Sequence, residues 1–320
     1  MPLNPKVAQL LDSIARSKFA PLHTLAPDAA RASYLRSAPI LDLPPAPLAH
    51  VEDIEIRVRD GASIRVRLYQ PFEPDWTRPA PALLFLHGGG FVVGNLETHD
   101  ALCRIFARDA QCMVVSVDYR LAPEHKFPTA VHDAFDALQW LNANALTYGI
   151  DAKRIAIGGD SAGGTLATVA AVMARDAGLR LVLQLLIYPG VGAHASTPSH
   201  AAYADGYFLS GKTIDWMFSQ YVHNRAERDD WRFAPLDGTR NAPASFAGLA
   251  PAWIAAAEYD PLFDEDLAYA AKLRDAGNAV TVRIYEGMVH EFFKMGRFIP
   301  EVAHAHADAC AALRQAFDTD

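Results

Sequence analysis

The sequence predicts an α/β fold, a mostly parallel central sheet of about eight strands flanked by helices. Three observations predict it. Short apolar runs at 82–86, 113–117, 154–157, 181–187, 253–257 and 280–285 alternate with longer amphipathic stretches. Continuous apolar runs mark strands buried on both faces, and their alternation with helices marks a mainly parallel sheet. Finally, a Gly-rich turn follows the run at 154–157 directly and opens a helical stretch.

In chain order, residues 1–45 read as a helix followed by a Pro- and Ala-rich connection. Val7, Leu10, Leu11 and Ile14 sit at helical spacing and form an apolar face that must pack on something. Residues 51–58 and 64–69 alternate polar and apolar side chains around Asp60-Gly61, the pattern of a hairpin with one wet face. Helical stretches are expected at 131–142, 165–177, 262–276 and 301–317. Residues 191–251 lack a clean strand and show one helical stretch near 212–221. Inserted segments this long are usually lids or binding loops when ordered. Tyr203, Tyr207, Phe208, Trp216, Phe218 and Tyr221 argue against disorder. The expected organisation is a sheet-bearing unit from 46–190 and 252–320, with 1–45 and 191–251 forming a helical cap.

Composition narrows the partners. The chain has 320 residues, 51% apolar and 21% charged, with a formal net charge of −8. An acidic balance without basic runs argues against nucleic acid and anionic membranes and leaves a small molecule as the expected partner. Cys103, Cys112 and Cys310 lack metal-ligand spacing and favour a reducing compartment over a disulfide framework. With neither a signal-peptide pattern at the start nor a 20-residue apolar run, the expected location is cytoplasmic. A monomer or homodimer is expected.

The chemistry is written in four places. Gly159-Asp160-Ser161-Ala162-Gly163 is a Gly-x-Ser-x-Gly turn between a strand and a helix, the context in which a serine nucleophile stands exposed. The alternatives are a capping serine or a phosphate loop, but no Lys follows as a P-loop requires. Upstream, His87-Gly88-Gly89-Gly90-Phe91 places consecutive glycines after a strand, so backbone N–H groups can approach a ligand. Gly88, Gly89 and Gly90, with Ala162, are the candidate donors to an oxyanion. A serine nucleophile needs a base and an orienting carboxylate. Asp260 and His290 each follow a strand, at the sheet edge where open α/β sheets bind ligands. Glu258, Asp264 and Asp266 compete for the acid role, the last two as first-turn helix residues. His87 reads as a loop-shaping residue, His125, His194, His200 and His223 as solvated or structural. His304 and His306 do not share a helix face for a metal.

These motifs, with 118–128 (Asp-Tyr-Arg-Leu-Ala-Pro-Glu-His-Lys-Phe-Pro), resemble the hormone-sensitive-lipase-like family of α/β-hydrolase carboxylesterases over nearly the whole chain. The resemblance implies an α/β-hydrolase fold and a cap built from the N-terminal segment and an insertion. It also implies an oxyanion hole from two loop glycines, assigned to Gly89 and Gly90, plus Ala162. A Ser161–His290–Asp260 triad would hydrolyse short- to medium-chain acyl esters without metal or organic cofactor. A non-catalytic small-molecule receptor on the same scaffold is the rival reading, as are amide hydrolysis and deacetylation. Plant hormone receptors resembling this family have lost the catalytic histidine, whereas His290 is present. Phe91, Phe208, Leu209, Val289 and Phe292 are candidate apolar lining. Glu291 departs from the glycine frequent after this histidine and is expected to face solvent. The 119–128 stretch is expected to brace the pocket floor.

Overall fold

The computed structural model describes residues 2–73 and 75–318. Eight strands form one sheet in the order β1-β2-β4-β3-β5-β6-β7-β8. β1 (His50–Arg57) and β2 (Ser63–Gln70) pair antiparallel as the expected hairpin, and β2 runs antiparallel to β4 (Met113–Asp118). All remaining pairings are parallel, joining β3 (Ala80–Leu86), β5 (Ile150–Asp160), β6 (Gln184–Ile187), β7 (Ala252–Tyr259) and β8 (Val280–Val289). β3 lies between β4 and β5, so the crossovers leave it in opposite directions. Such a reversal opens a crevice at the carboxyl ends of the strands.

The apolar runs fill two layers by simple alternation. Leu84 and Leu86 of β3 face one cluster with α4 (Thr129–Asn144), α5 (Ala162–Asp176) and α8 (Phe263–Asp275). Leu83 and Phe85 face the other, with α3 (Asp100–Ala110) and α9 (Val302–Phe317). Successive strand side chains point to opposite faces, so runs apolar at every position need helices on both sides.

The N-terminal segment is more helical than its composition suggested. α1 (Pro5–Ala15) buries Val7 and Leu10, whereas Ile14 is 37% exposed, because only the first turns of this short helix meet the sheet. The expected connection contains α2 (Pro27–Leu41), started by Pro27 in its first turn, where the missing N–H costs nothing. Within 191–251 the described elements are α6 (Pro198–Ala202), α7 (Gly211–Tyr221) and a 3₁₀ turn at Arg225–Asp229. α7 meets the N-terminal segment through His23 and Thr213, 3.2 Å apart. Lys126 donates to the carbonyls of Gln220 and Val222, a cation at the negative end of α7.

α2 is tied to the loops below it by Arg31, which donates to Val92 O at 2.9 Å and Ala122 O at 2.7 Å and pairs with Glu124. Charge-assisted hydrogen bonds of this kind each contribute about 1.5–3 kcal/mol when partly buried. Arg31→Ala should therefore lower the unfolding free energy by about 1–3 kcal/mol, read as a shift of the urea midpoint at constant slope. An unchanged midpoint would show that α2 is held by its apolar face alone.

Candidate active site

Ser161 sits where β5 turns into α5, with φ 53° and ψ −122°. A non-glycine residue in this region is strained by about 1–3 kcal/mol, and the surroundings must enforce it. They do so through its amide, which donates to Ile187 O of β6 at 2.9 Å. The flanking glycines answer to contact. A Cβ on Gly159 would strike the backbone of Gly163 and the carbonyl of Leu86, and one on Gly163 would strike Leu86 again. Side chains are thus excluded on both sides of the serine by backbone, which cannot move aside as a side chain can.

His290 follows β8 and Asp260 follows β7, and the structure brings both to Ser161. His290 Nε2 lies 2.9 Å from Ser161 Oγ, and Nδ1 lies 2.6 Å from Asp260 Oδ2. Asp260 is fully buried, and its Oδ1 accepts the Leu262 amide at 2.9 Å. Burial works against the imidazolium of His290. The charge and hydrogen bond of Asp260, reinforced by Glu291 and Asp160, outweigh it and hold the ring above its usual range. Two of the competing acids are engaged elsewhere, Glu258 by the Gly287 amide and Asp264 by the Ser199 amide, while Asp266 is buried in α8 with no hydrogen bond to His290.

The glycine loop needs one correction. Gly88 N–H donates to Asp160 Oδ1 at 2.8 Å, so it is not free for an oxyanion and leaves the donor set. Gly89 and Gly90 adopt φ 122° and 58°, and among the described residues no protein acceptor takes their amides or that of Ala162. Asp160 is fully buried beside His99, 3.2 Å away. Burial disfavours its charge, but the donating His99 ring, the Lys294 ammonium and the Gly88 amide hold the carboxyl well below the usual range. His87 has the loop-shaping role expected of it, with Nδ1 2.9 Å from Gly88 O and its ring stacked on Tyr119. The 119–128 stretch braces this loop: Tyr119 donates to His87 O, and Ala122 N–H to Phe91 O.

The lining residues divide. Phe208 and Leu209 are half-buried, and Phe208 packs against the layer of α3 and α9. Val289 and Phe292 are corrected to core residues, 0% and 1% exposed, because both pack into the apolar layer that holds Phe85, Tyr188 and Phe293. Phe91 is buried too, stacked on Tyr221 at 3.9 Å. A residue not singled out from sequence, Met217 of α7, places its sulfur where a Cβ of Gly90 would be. Glu291 is also corrected. Its carboxylate turns inward, accepting from Tyr34 at 2.9 Å rather than facing solvent.

Two measurements check this geometry. Gly163→Ala should cost about 2–4 kcal/mol of stability, since backbone must shift to admit the methyl group; a loss below about 0.5 kcal/mol in urea unfolding would contradict the contact. By NMR, His290 should titrate above the ordinary value of about 6.5, and a midpoint below about 6 would contradict the charge environment.

The comparisons bear on family and activity. The alpha/beta hydrolase fold family matches residues 83–294. An ethyl acetate hydrolase from Pseudomonas putida is 40% identical, covering 98% of this chain and 99% of the relative. A carboxylesterase from Mycobacterium tuberculosis is 39% identical over 90% of this chain and 88% of its own. Among solved structures, a hyperthermophilic esterase from the archaeon Pyrobaculum calidifontis superposes with TM-score 0.91 at 37% identity, covering 98% of this chain and 99% of that one. An ester hydrolase from the Lake Arreo metagenome, complexed with a bipyridine phosphonate derivative, gives 0.92 at 38% identity, covering 99% and 100%. With a central sheet, a strained serine turn and relatives that are esterases along their full length, the chain belongs to the hormone-sensitive-lipase-like branch of the α/β hydrolases and is a carboxylic ester hydrolase.

Proposed function

We propose that Ser161 is the nucleophile of this ester hydrolase, His290 its general base and acid, and Asp260 the carboxylate that holds the imidazole. The observation that carries the reading is the pair of hydrogen bonds made by one ring, 2.9 Å to Ser161 Oγ and 2.6 Å to Asp260. Ser161 Oγ attacks the ester carbonyl carbon while His290 Nε2 takes its proton. The carbonyl oxygen becomes an oxyanion, received by the amides of Gly89, Gly90 and Ala162. Each such donor is worth about 3–4 kcal/mol of barrier. The tetrahedral intermediate collapses, the C–O bond to the alcohol breaks, and His290 returns the proton to the leaving oxygen. Water, deprotonated by the same imidazole, then attacks the acyl-serine and releases the acid. Asp260 fixes the Nδ1–H tautomer and stabilises the imidazolium, without itself taking the proton.

We further propose short- to medium-chain acyl esters as substrates, with 1–45 and 191–251 as a cap over the site. Met217 stands over Gly90 and shortens the space beside the oxyanion donors. The Pseudomonas putida relative, named for ethyl acetate, supports the short end of this range. Cytoplasmic residence belongs to the same reading, supported by three buried, unbridged thiols.

Ser161→Ala should fold and lose p-nitrophenyl butyrate turnover by at least about 10⁴-fold, and substantial residual turnover would remove Ser161 from the mechanism. Since only neutral His290 accepts the proton and its pKa is raised, kcat/KM should climb with pH through a midpoint above about 6.5. In a series of p-nitrophenyl esters, butyrate and hexanoate should outrun palmitate, and rates rising steadily to palmitate would defeat the chain-length reading. Met217→Ala should raise the octanoate-to-butyrate ratio of kcat/KM about tenfold, the low end of the roughly 10–200-fold that a methylene-sized change in a pocket supplies.

A further inference from the structure

Behind the proposed triad lies a buried polar cluster that the reaction steps do not use. Asp160 and His99 are 0% exposed, Lys294 is 4% and Tyr34 is 7%. Lys294, in the 3₁₀ turn Phe292–Lys294 after His290, donates to the Tyr34 hydroxyl at 2.6 Å, and its ammonium stands 4.5 Å from the Tyr34 ring centroid. The hydroxyl passes the hydrogen bond on to Glu291 Oε1, and Lys294 itself lies 3.7 Å from Glu291 Oε2. The same ammonium is 3.4 Å from His99 Nε2, and His99 contacts Asp160, the acceptor of the Gly88 amide.

Two features make this more than internal packing. Glu291, adjacent to His290, has φ 63°, a left-handed conformation disfavoured for a side-chain-bearing residue by about 1–2 kcal/mol. Its carboxylate bonds hold that turn closed. In addition, His290 is faced by Asp260 from the loop after β7, Asp160 from the end of β5 and Glu291 from its own loop, with Tyr188 4.7 Å from its ring. Lys294 is the cation seated among the latter carboxylates, and also faces Asp42 at the end of α2, which burial pushes up to about 6 while Lys294 draws it down.

We propose that Lys294 is a positioning residue for ester hydrolysis. Gripped by Tyr34 of the cap, it fixes Glu291 and so the turn that aims His290, and it offsets the negative charge that Asp160 and Glu291 place beside the imidazole. This rests on the triad reading above. A buried carboxylate left without its cation strengthens the attraction on a neighbouring imidazolium. Losing Lys294 therefore raises the His290 pKa and moves the acidic limb of the activity profile to higher pH.

The experiment compares kcat/KM against pH, with p-nitrophenyl butyrate, for wild type, Lys294→Met, Tyr34→Phe and the double variant Lys294→Met/Glu291→Gln. Lys294→Met should lower kcat about tenfold with KM within about threefold, and should raise the acidic midpoint by about 0.5–1 pH unit. Adding Glu291→Gln should bring the midpoint back toward wild type, which a merely structural lysine would not produce. An unmoved midpoint in folded Lys294→Met, or one that Glu291→Gln does not restore, overturns the proposal. Should Lys294→Met fail to fold by circular dichroism, Tyr34→Phe decides: an upward shift of at least about 0.2 pH unit supports it, and no shift overturns it. Labelling of wild-type Ser161 by diethyl p-nitrophenyl phosphate separates the two readings. No label on Ser161 removes the triad and this proposal together; label with an unmoved midpoint removes only the role of Lys294.

Discussion

The close approach of the first turn of α5 to the end of β3 is the constraint on which the site depends. At Gly163 the helix backbone lies against the carbonyl of Leu86 with no space for a methyl group. β3 ends there in the His87–Gly90 loop, and α5 begins there with Ser161 at its cap. Ser161, the proposed nucleophile, is thus set against the glycine loop by direct contact of backbone on backbone. Side chains between them would add rotamers and compliance. A site that must place donors accurately around a developing charge gains from so stiff a contact.

Polar groups buried behind this contact extend the same rigidity. Asp160 occupies the turn position before the serine and takes the Gly88 amide, so one carboxylate links the serine turn to the glycine loop. Diverting Gly88 from the oxyanion is the consequence, and it leaves the two following amides as the free ones. The His290 loop is joined to the assembly through Glu291, Lys294 and Tyr34. Buried charges are costly when unpaired, and here each has a partner within 4 Å. Asp266 is different: it is fully buried with both carboxylate oxygens unpartnered, and burial holds it well above the usual carboxylate range.

Much of this was legible in the sequence because the signals were local. Each apolar run became a strand, since period and length are properties of a short window. That Ser161, Asp260 and His290 would meet was legible because one lies in a Gly-x-Ser-x-Gly turn and each follows a strand at the same sheet edge. Other features depended on distant neighbours and left no local trace. Nothing near Gly88 shows that Asp160, seventy-two positions later, takes its amide. Val289 and Phe292 read as lining because they flank the histidine, and only their packing with the distant Phe85 makes them core. α2 hid in a Pro- and Ala-rich stretch whose helicity comes from Ala-rich propensity and from docking through Arg31 and Tyr34. Glu291 looked solvent-facing because its partners, Tyr34 and Lys294, are unremarkable residues in their own windows.

The hydrogen bond between Tyr34 and Lys294 spans 260 positions of the chain. Closing a loop of this length carries an entropy cost that the contact must offset. Under the role proposed for Lys294, a chain with its sheet formed but without this bond leaves the histidine turn unaimed. If Lys294 has the role proposed for it, full turnover requires that residues 34 and 294 have met. Recovery of full turnover during refolding would then report this long-range contact rather than the appearance of the sheet.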